Sequence, residues 1–269
     1  MNAEKRHHFV TGTRLSELMR ELANFQLSLS QAANDISKEL QKDVLASILY
    51  EHGGSDKDSP YTMFNREKEQ RNLIWAYQQL GVLDNDVRSK INEHFNAADE
   101  AQGYLKEYMA SDTKKINERF NHRPLDAVRQ TKKIIDLSLE SKRKSEELYS
   151  QLTLFQELLN SFMKDKLFQF DAGDLVIETP NGLVRYDDLS SGEKQLLILF
   201  IETLLQDEKP HVFVADEPEL SLHIDWQRKI VPALLELNPN AQVIVATHSP
   251  EVAATFRDQV FDMEDLSDA

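Results

Sequence analysis

The sequence Leu-Ser-Ser-Gly-Glu-Lys-Gln at residues 189–195 decides how the C-terminal part of the chain is organised. Ser190 followed by Glu193 is the pattern of a capping box, and the apolar residues 196–201 continue the helix into a core. The free backbone N–H groups and the dipole at such a helix start favour an anion such as a phosphate. Gly192 leaves room for that anion. Alone, however, this pattern more often marks only the start of a helix.

Two apolar segments, each followed at once by polar residues, lie C-terminal to this helix start. Residues 212–218 read Val-Phe-Val-Ala-Asp-Glu-Pro, and residues 243–250 read Val-Ile-Val-Ala-Thr-His-Ser-Pro. Each apolar run is typical of a strand that is buried on both faces of a parallel sheet. A helix is predicted between them at residues 225–237, and strand–helix–strand is the repeating unit of an α/β layer. Because such sheets bind ligands at the carboxyl ends of their strands, the polar residues of both segments are candidate site residues.

These three motifs, in this order and spacing, resemble those of ABC-class ATPases. Residues 189–193 resemble the ABC signature motif, and His248 resembles the switch histidine. Asp216 and Glu217 resemble the Walker B aspartate and the adjacent catalytic glutamate. The phrase Asp-Glu-Pro-Glu, with Leu-His shortly after it, is closer to the branch that contains SMC, RecF and OLD-type proteins than to transporters. The resemblance covers roughly residues 170–260 and implies an α/β fold that forms part of an ABC ATPase lobe.

The resemblance implies that the ligands of the site are ATP and Mg²⁺. Asp216 would help to position Mg²⁺, Glu217 would polarise the attacking water, and His248 would contact the γ-phosphate or that water. Phosphoryl transfer to water needs a metal that neutralises phosphate charge, a group that orients the water, and stabilisation of the leaving charge. Each residue also has a simpler interpretation, because acidic residues at strand ends are often helix caps and a lone histidine is often structural.

In the resembled family, the signature residues contact the nucleotide that a partner subunit holds, so the resemblance implies a homodimer. The residues that would contact this nucleotide are Ser190, Ser191, Gly192 and Glu193. Residues 219–225 would form the D-loop, which lies along the subunit contact in this class. His223 stands in that segment where transporters often carry Asp, which leaves its role open.

The sequence departs from the family in containing no P-loop of the form Gly-x-x-x-x-Gly-Lys-Ser/Thr. Residues 53–59 have the right residue types at the wrong spacing, and no apolar strand precedes them. Because the family carries its P-loop on an N-terminal lobe, we expect this chain to be the C-terminal portion of a longer ATPase or to receive that lobe in trans. Without the lobe, we expect no tight binding of ATP.

Residues 1–165 are predicted to form a helical subdomain, and residues 166–269 the C-terminal ABC ATPase lobe. Apolar residues recur at three- and four-residue steps in the N-terminal part, but no heptad repeat persists, which argues against a long coiled coil. The helices predicted there span residues 14–50, 65–80, 84–109 and 125–165, with a further start at Asp112. A hairpin is predicted at residues 175–186 around the turn Pro-Asn-Gly.

Composition excludes several classes of protein. The 269 residues include no Cys, which excludes disulfides and Cys-based metal sites and is compatible with a reducing cytoplasm. The longest apolar run is far shorter than the ~20 residues of a membrane helix, and no apolar segment of a secretory signal follows the N-terminus. We therefore expect a cytoplasmic protein without a membrane partner.

One stretch differs in charge from the rest of this acidic chain, whose formal net charge is −15. Residues 114–144 contain ten Lys or Arg and four Asp or Glu. This local excess could engage the phosphates of a nucleic acid. A solvated helix face is the more frequent explanation of such a pattern, and no interleaved aromatic residues indicate a platform for stacking bases.

Two functions of different class fit the sequence. In the first, the chain is an ATPase component that supplies Walker B, signature and switch residues to a composite site. ATP hydrolysis there would drive a conformational change on nucleic acid or on an effector nuclease. In the second, it is a non-catalytic interaction module that keeps the fold. By analogy alone, the Asp-Glu-Pro-Glu pattern also resembles ATPases of phage-defence systems such as the Septu type.

Overall fold

The computed structural model describes residues 3–48, 64–110 and 123–262 of the 269-residue chain. The chain divides into two compact units, one of residues 1–30 and 149–269 and the other of residues 31–148. The helix start predicted at Asp112 and the glycine-containing residues 53–59 lie outside the described residues.

Four long helices occupy most of the N-terminal half, as the apolar spacing predicts. They are α1 (Ala3–Ile48), α2 (Arg66–Gln79), α3 (Asn85–Ala110) and α4 (Arg123–Phe162). Side chains that precede two of them satisfy free backbone N–H groups: Asn65 accepts from the N–H of Lys68 at 3.0 Å, and Asp84 accepts from that of Val87 at 2.7 Å. Gly81 follows α2 with φ +71°, a conformation that favours glycine at the end of a helix.

Apolar residues of α2 and α3, together with parts of α1 and α4, form the core of the unit at residues 31–148. Their three- and four-residue spacing gives each helix an apolar stripe that faces this core. One cluster contains Leu40, Val44, Ala76 and Ile134, and another contains Leu73, Ile91, Phe95 and Ile135. Each of the Leu, Ile, Val and Phe side chains contributes about 1.5–3 kcal/mol when fully buried.

A three-stranded antiparallel sheet begins the C-terminal part. Its strands are β1 (Leu167–Asp171), β2 (Asp174–Thr179) and β3 (Gly182–Val184), in the order β1-β2-β3. The predicted hairpin of β2 and β3 is confirmed, with Thr179 opposite Gly182 at the turn. The sequence did not indicate β1, because its position depends on pairing with β2.

A β–α–β unit follows and carries the candidate site residues. It is built from α5 (Ser191–Leu204), β4 (His211–Asp216), α6 (Ile224–Leu237), β5 (Ala241–Ala246) and the short α7 (Pro250–Ala253). Strands β4 and β5 pair in parallel, with His211 opposite Ala241 and Asp216 opposite Ala246. The chain is therefore α/β, mostly helical with a small parallel sheet.

The prediction that both strands of this sheet are buried on both faces is wrong. Phe213 points inward and is 9% exposed, whereas Val212 is 54%, Val214 72% and Ile244 48% exposed. Because side chains of a strand alternate between its two faces, these three exposed residues lie on one face of the sheet. This face of the sheet therefore presents apolar side chains to solvent.

The core of the unit at residues 1–30 and 149–269 surrounds α5. Residues 196–201 of that helix are all buried, as its apolar run predicts. The ring of Phe162 in α4 packs edge-on against Phe200 of α5 and Trp226 of α6, with centroid distances of 5.3 and 6.2 Å. Arg14 of α1 donates two hydrogen bonds, of 2.9 and 2.8 Å, to Glu202. These contacts fix α5, whose first residues belong to the candidate site.

The predicted division of the chain into residues 1–165 and 166–269 stays a prediction. Helix α4 ends at Phe162, close to that boundary, while the compact units divide the chain after residues 30 and 148. None of the described helices is long and apolar enough to cross a membrane.

Candidate functional site

The carboxyl ends of β4 and β5 bring two of the sequence motifs together. Asp216 lies opposite Ala246 in the parallel ladder, and the backbone N–H of Glu217 donates to the carbonyl of Ala246 at 2.8 Å. Two residues beyond Ala246, the Nε2 atom of His248 lies 3.8 Å from Oε1 of Glu217. Three of the predicted site residues therefore share one edge of the sheet.

Glu217 and His248 are both accessible from solvent. Their side chains are 42% and 93% exposed, respectively. Glu217 has φ +44°, a left-handed conformation that is unfavourable for a residue with a side chain. Such strain is held at sites where the surrounding structure determines the backbone, as the ladder bond to Ala246 does here. The carboxylate and the imidazole can thus both reach a ligand at the strand ends.

The carboxylates at the strand ends could hold Mg²⁺ only together with the phosphates of a bound ligand. No group of three or more His, Asp or Glu that could hold a metal ion occurs within residues 3–48, 64–110 and 123–262. Mg²⁺ is commonly bound by one or two carboxylates together with substrate phosphates and water. Asp216 is exposed at the end of β4 and suits the role of a single carboxylate in such a set.

The start of α5 has the predicted capping box. Ser190 is the N-cap and accepts from the N–H of Glu193 at 3.4 Å, while the carboxylate of Glu193 accepts from the backbone N–H of Ser190 at 2.8 Å. Ser190 and Ser191 are exposed. The helix start is consequently pre-formed and open to a ligand or a partner.

The carboxylate of Glu193 has a second partner within the chain. Lys166 donates to its Oε1 at 2.6 Å, and both side chains are largely buried. Burial alone would raise the pKa of Glu193, but the hydrogen bonds from Lys166 and Ser190 outweigh burial and hold that pKa below its usual value. Glu193 therefore stabilises the helix start. The capping box indicates this role, but nothing in the sequence predicts Lys166 as the second partner.

Gly192 is buried against the turn that follows β4. A Cβ atom at this position would lie 2.3 Å from the carbonyl oxygen of Ser221 and 3.3 Å from its carbonyl carbon. Glycine is therefore needed for the close approach of two backbone segments, which is a different reason from the room for an anion that the sequence suggested.

Two residues of the predicted D-loop segment have structural roles within the chain. His223 is the N-cap of α6, and its Nδ1 accepts from the N–H of Asp225 at 3.3 Å. Glu219 is buried and accepts a hydrogen bond from Thr247, in the loop that follows β5. The contact of Glu219 with Thr247 is not predictable from the sequence, since no local pattern relates residues that are 28 positions apart.

Three cations at the end of the basic stretch pair with carboxylates. Lys142 pairs with Glu146, and Arg143 with Glu147, one helical turn apart. Lys144 lies within 4 Å of carboxylates of both Glu39 and Glu140. A nucleic-acid interface over residues 114–144 remains a prediction, and these pairs match the alternative of a solvated helix face.

Several curated proteins are similar to this chain over part of their length. The "Retron Ec83 probable ATPase" of Escherichia coli is 29% identical over 151 residues, which cover 44% of this chain and 28% of that protein. The "Septu protein PtuA" of Bacillus thuringiensis is 28% identical over 109 residues (35% and 27%), and the "Retron Vc95 probable ATPase" of Vibrio cholerae serotype O1 biovar El Tor is 28% identical over 192 residues (63% and 37%). The chain thus matches less than two fifths of the length of each relative.

Solved structures of Smc head domains are also similar in part. The SmcHead bound to the C-winged helix domain of ScpA is 21% identical with a TM-score of 0.33, over 44% of this chain and 40% of that chain. The Smc head of Pyrococcus furiosus with an extended coiled coil, bound to the C-terminal domain of ScpA, is 17% identical with a TM-score of 0.32, over 84% and 52%. Both TM-scores are low, so the overall likeness to these structures is weak.

A family model matches a much larger part of the chain, from residue 22 to residue 254. The matched region includes the start of α5, the ends of β4 and β5, and the helices that support them. The chain therefore belongs to the family described as "AAA domain, putative AbiEii toxin, Type IV TA system".

Proposed function

We propose that this chain is a component of an ATP-hydrolysing enzyme and supplies the Walker B, signature and switch residues of a site that two protomers share. The observation that carries the proposal is the distance of 3.8 Å between Glu217 and His248 at the ends of adjacent parallel strands, next to Asp216. The similarity to two retron proteins named as probable ATPases supports the same reaction class.

The residues would divide the work of phosphoryl transfer among them. Mg²⁺, when bound with the nucleotide, would neutralise phosphate charge. Asp216 would hold that ion, Glu217 would orient and polarise the attacking water, and His248 would contact the γ-phosphate or that water. The exposed start of α5 at Ser190 and Ser191 would meet the nucleotide of the partner protomer through free N–H groups and the helix dipole.

The site would be completed by a P-loop that these 269 residues do not contain. The open face of the β4–β5 sheet supports this part of the proposal, since an apolar parallel sheet is normally covered on both faces. A groove of about 590 Å³ also runs beside β4, and its lining is mixed: residues 211–214, Leu18 and Leu205, together with Arg14, Glu21, Glu202 and Gln206. A further strand placed there would extend the sheet and bring a P-loop to the strand ends where Asp216 lies.

The biological setting that fits best is a defence system of the Septu type, as the Asp-Glu-Pro-Glu pattern suggested. The similarity to Septu protein PtuA supports this setting. Within it, the ATPase would control an effector nuclease. A cytoplasmic location is proposed on the same ground.

The proposal is tested by ATP turnover in a protein that joins this chain to its P-loop lobe. Because a positioned base or water-orienting group contributes about 10²–10⁴-fold, Glu217→Gln should lower turnover by at least about 100-fold. The exposed Glu236→Gln, on the last turn of α6, is the matched control and should retain full activity. Turnover that is unaffected by Glu217→Gln would instead support the alternative of a non-catalytic interaction module.

A further inference from the structure

One hydroxyl group holds the loop that carries His248. The Oγ1 atom of Thr247 donates a hydrogen bond to Oε1 of Glu219, in the turn that follows β4. The Oγ1 atom of Thr247 also accepts a hydrogen bond from the backbone N–H of Ser249 at 2.9 Å. His248 lies between these two residues, so its backbone is held on both sides by contacts of Thr247.

The burial of Glu219 is not explained by folding stability. The residue is 8% exposed, and its Oε2 atom is buried without a hydrogen-bond partner. A buried carboxylate that is only half satisfied opposes folding, and an apolar residue would fill the same space without that cost. The carboxylate of Glu219 does provide an acceptor for the hydroxyl of Thr247. Glu219 itself lies two residues after Glu217, whose backbone is strained.

A second chain of hydrogen bonds holds the same loop from the side of α6. The Oγ atom of Ser249 donates to Oε1 of Gln227 at 2.8 Å, and Nε2 of Gln227 donates to the carbonyl of Leu222 at 3.0 Å. Next to it, Arg228 forms an ion pair with Glu251 of α7. Together with Glu219, these contacts tie the loop after β5 to the middle and the end of the turn at residues 217–222.

We infer that Glu219 is a positioning residue: through Thr247, it holds the loop that carries the imidazole of His248 against the turn that carries the carboxylate of Glu217. The catalytic consequence of this contact rests on the proposed function. The tether itself is a property of this chain and can be measured without nucleotide.

Hydrogen exchange of the Ser249 amide in this chain tests the tether directly. Glu219→Met should speed that exchange roughly ten-fold or more, because it removes the acceptor of the Thr247 hydroxyl and leaves the acceptor of the Ser249 amide in place. Thr247→Val removes both contacts and should speed the exchange at least as much. The double variant should exchange no faster than Thr247→Val alone, since that change already removes the contact with Glu219. Glu219→Gln keeps an acceptor oxygen and should retain most of the protection, while Glu236→Gln serves as the unrelated control.

Global unfolding must be followed in the same variants. The double variant replaces both partners by apolar groups, which is close to neutral for folding or stabilising. Faster exchange of Ser249 together with an unchanged or raised midpoint of urea unfolding is therefore the expected pattern. Unchanged exchange in Glu219→Met would overturn the inference.

Turnover in the protein joined to its P-loop lobe tests the consequence for catalysis. Glu219→Met should lower kcat roughly ten-fold and leave KM for ATP unchanged, and Glu219→Gln should restore most of kcat. If Glu217→Gln abolishes turnover but Glu219→Met retains the wild-type rate, the positioning role of Glu219 is overturned and the proposed function stands. If Glu217→Gln has no effect, the proposed function fails, while the exchange of Ser249 still decides whether the tether exists.

Discussion

The carbonyl oxygen of Ser221 lies 2.3 Å from the place that a Cβ atom at Gly192 would occupy. This contact joins the first turn of α5 to the turn that follows β4, within one chain. Ser221 itself has φ +72°, so the backbone that approaches Gly192 is already strained and has little freedom to move away. The signature-like helix start and the turn that begins at Glu217 therefore act as one structural unit.

Gly192→Ala tests this close approach. The added methyl group should lower the free energy of unfolding by about 1–3 kcal/mol, because the carbonyl of Ser221 must shift or α5 must tilt. Urea unfolding of the chain measures the change. Gly103→Ala in α3, where nothing lies within 4 Å of the new Cβ, is the matched control and should stabilise the protein by about 0.5–1 kcal/mol. Equal effects of the two substitutions would contradict the account of Gly192.

The pair of Lys166 and Glu193 predicts a dependence of stability on pH. The pKa of Glu193 is lowered, so its contribution is present above the pKa of the unfolded chain and is lost as pH falls through the lower folded value. Burial works against the charge of Lys166, but hydrogen bonds with Asp165 and Glu193 outweigh burial and raise the pKa of Lys166. Its contribution is therefore present below the unfolded pKa and is lost as pH rises through the folded value.

Lys166→Met should accordingly lower the free energy of unfolding by about 1.5–3 kcal/mol at neutral pH, the usual range for a hydrogen bond to a charged group. The difference from the wild type should shrink at both acid and alkaline pH. Urea titrations over a pH series measure it. The exposed pair of Lys90 and Asp86 provides the control, since Lys90→Met should leave stability unchanged. If the difference in free energy of unfolding between Lys166→Met and the wild type does not vary with pH, Lys166 does not stabilise the chain through its ion pair with Glu193.

The open face of the β4–β5 sheet predicts an effect on assembly without an effect on folding. Val214 is exposed in this chain, so Val214→Lys should change its free energy of unfolding by no more than about 0.5 kcal/mol. The same change should prevent association with the P-loop lobe, because it would bury a charge without a partner. Co-purification of the two lobes measures this, and Leu183→Lys, on the exposed side of β3, should leave it intact. Normal association of the Val214→Lys chain would exclude this face as the contact.

The local patterns of the sequence predicted most of the secondary structure. The four long helices follow from apolar spacing and caps, and the capping box at Ser190 follows from the residue types alone. The β–α–β order was also sufficient to predict that Asp216, Glu217 and His248 share one edge of a sheet. Short-range periodicity determines each of these features.

Contacts between distant segments could not be read in the same way. The apolar runs of β4 and β5 indicated strands but not that one face stays uncovered, because the cover of a sheet is supplied by other segments. The contacts of Glu193 with Lys166 and of Glu219 with Thr247 join residues 27 and 28 positions apart. Likewise, the collision that excludes a side chain at Gly192 depends on where the turn at Ser221 lies.

The central claim, one nucleotide shared between the strand ends of one protomer and the helix start of another, is tested most directly by sedimentation of the P-loop-containing protein with Glu217→Gln. Because this variant should bind ATP without hydrolysing it, Mg²⁺ and ATP should convert monomers into dimers. Adding Ser191→Arg, which leaves the cap residue Ser190 unchanged and places a bulky side chain at the exposed helix start, should abolish the dimer. A protein that stays monomeric with Mg²⁺ and ATP, or that dimerises equally well with Ser191→Arg, would contradict the claim.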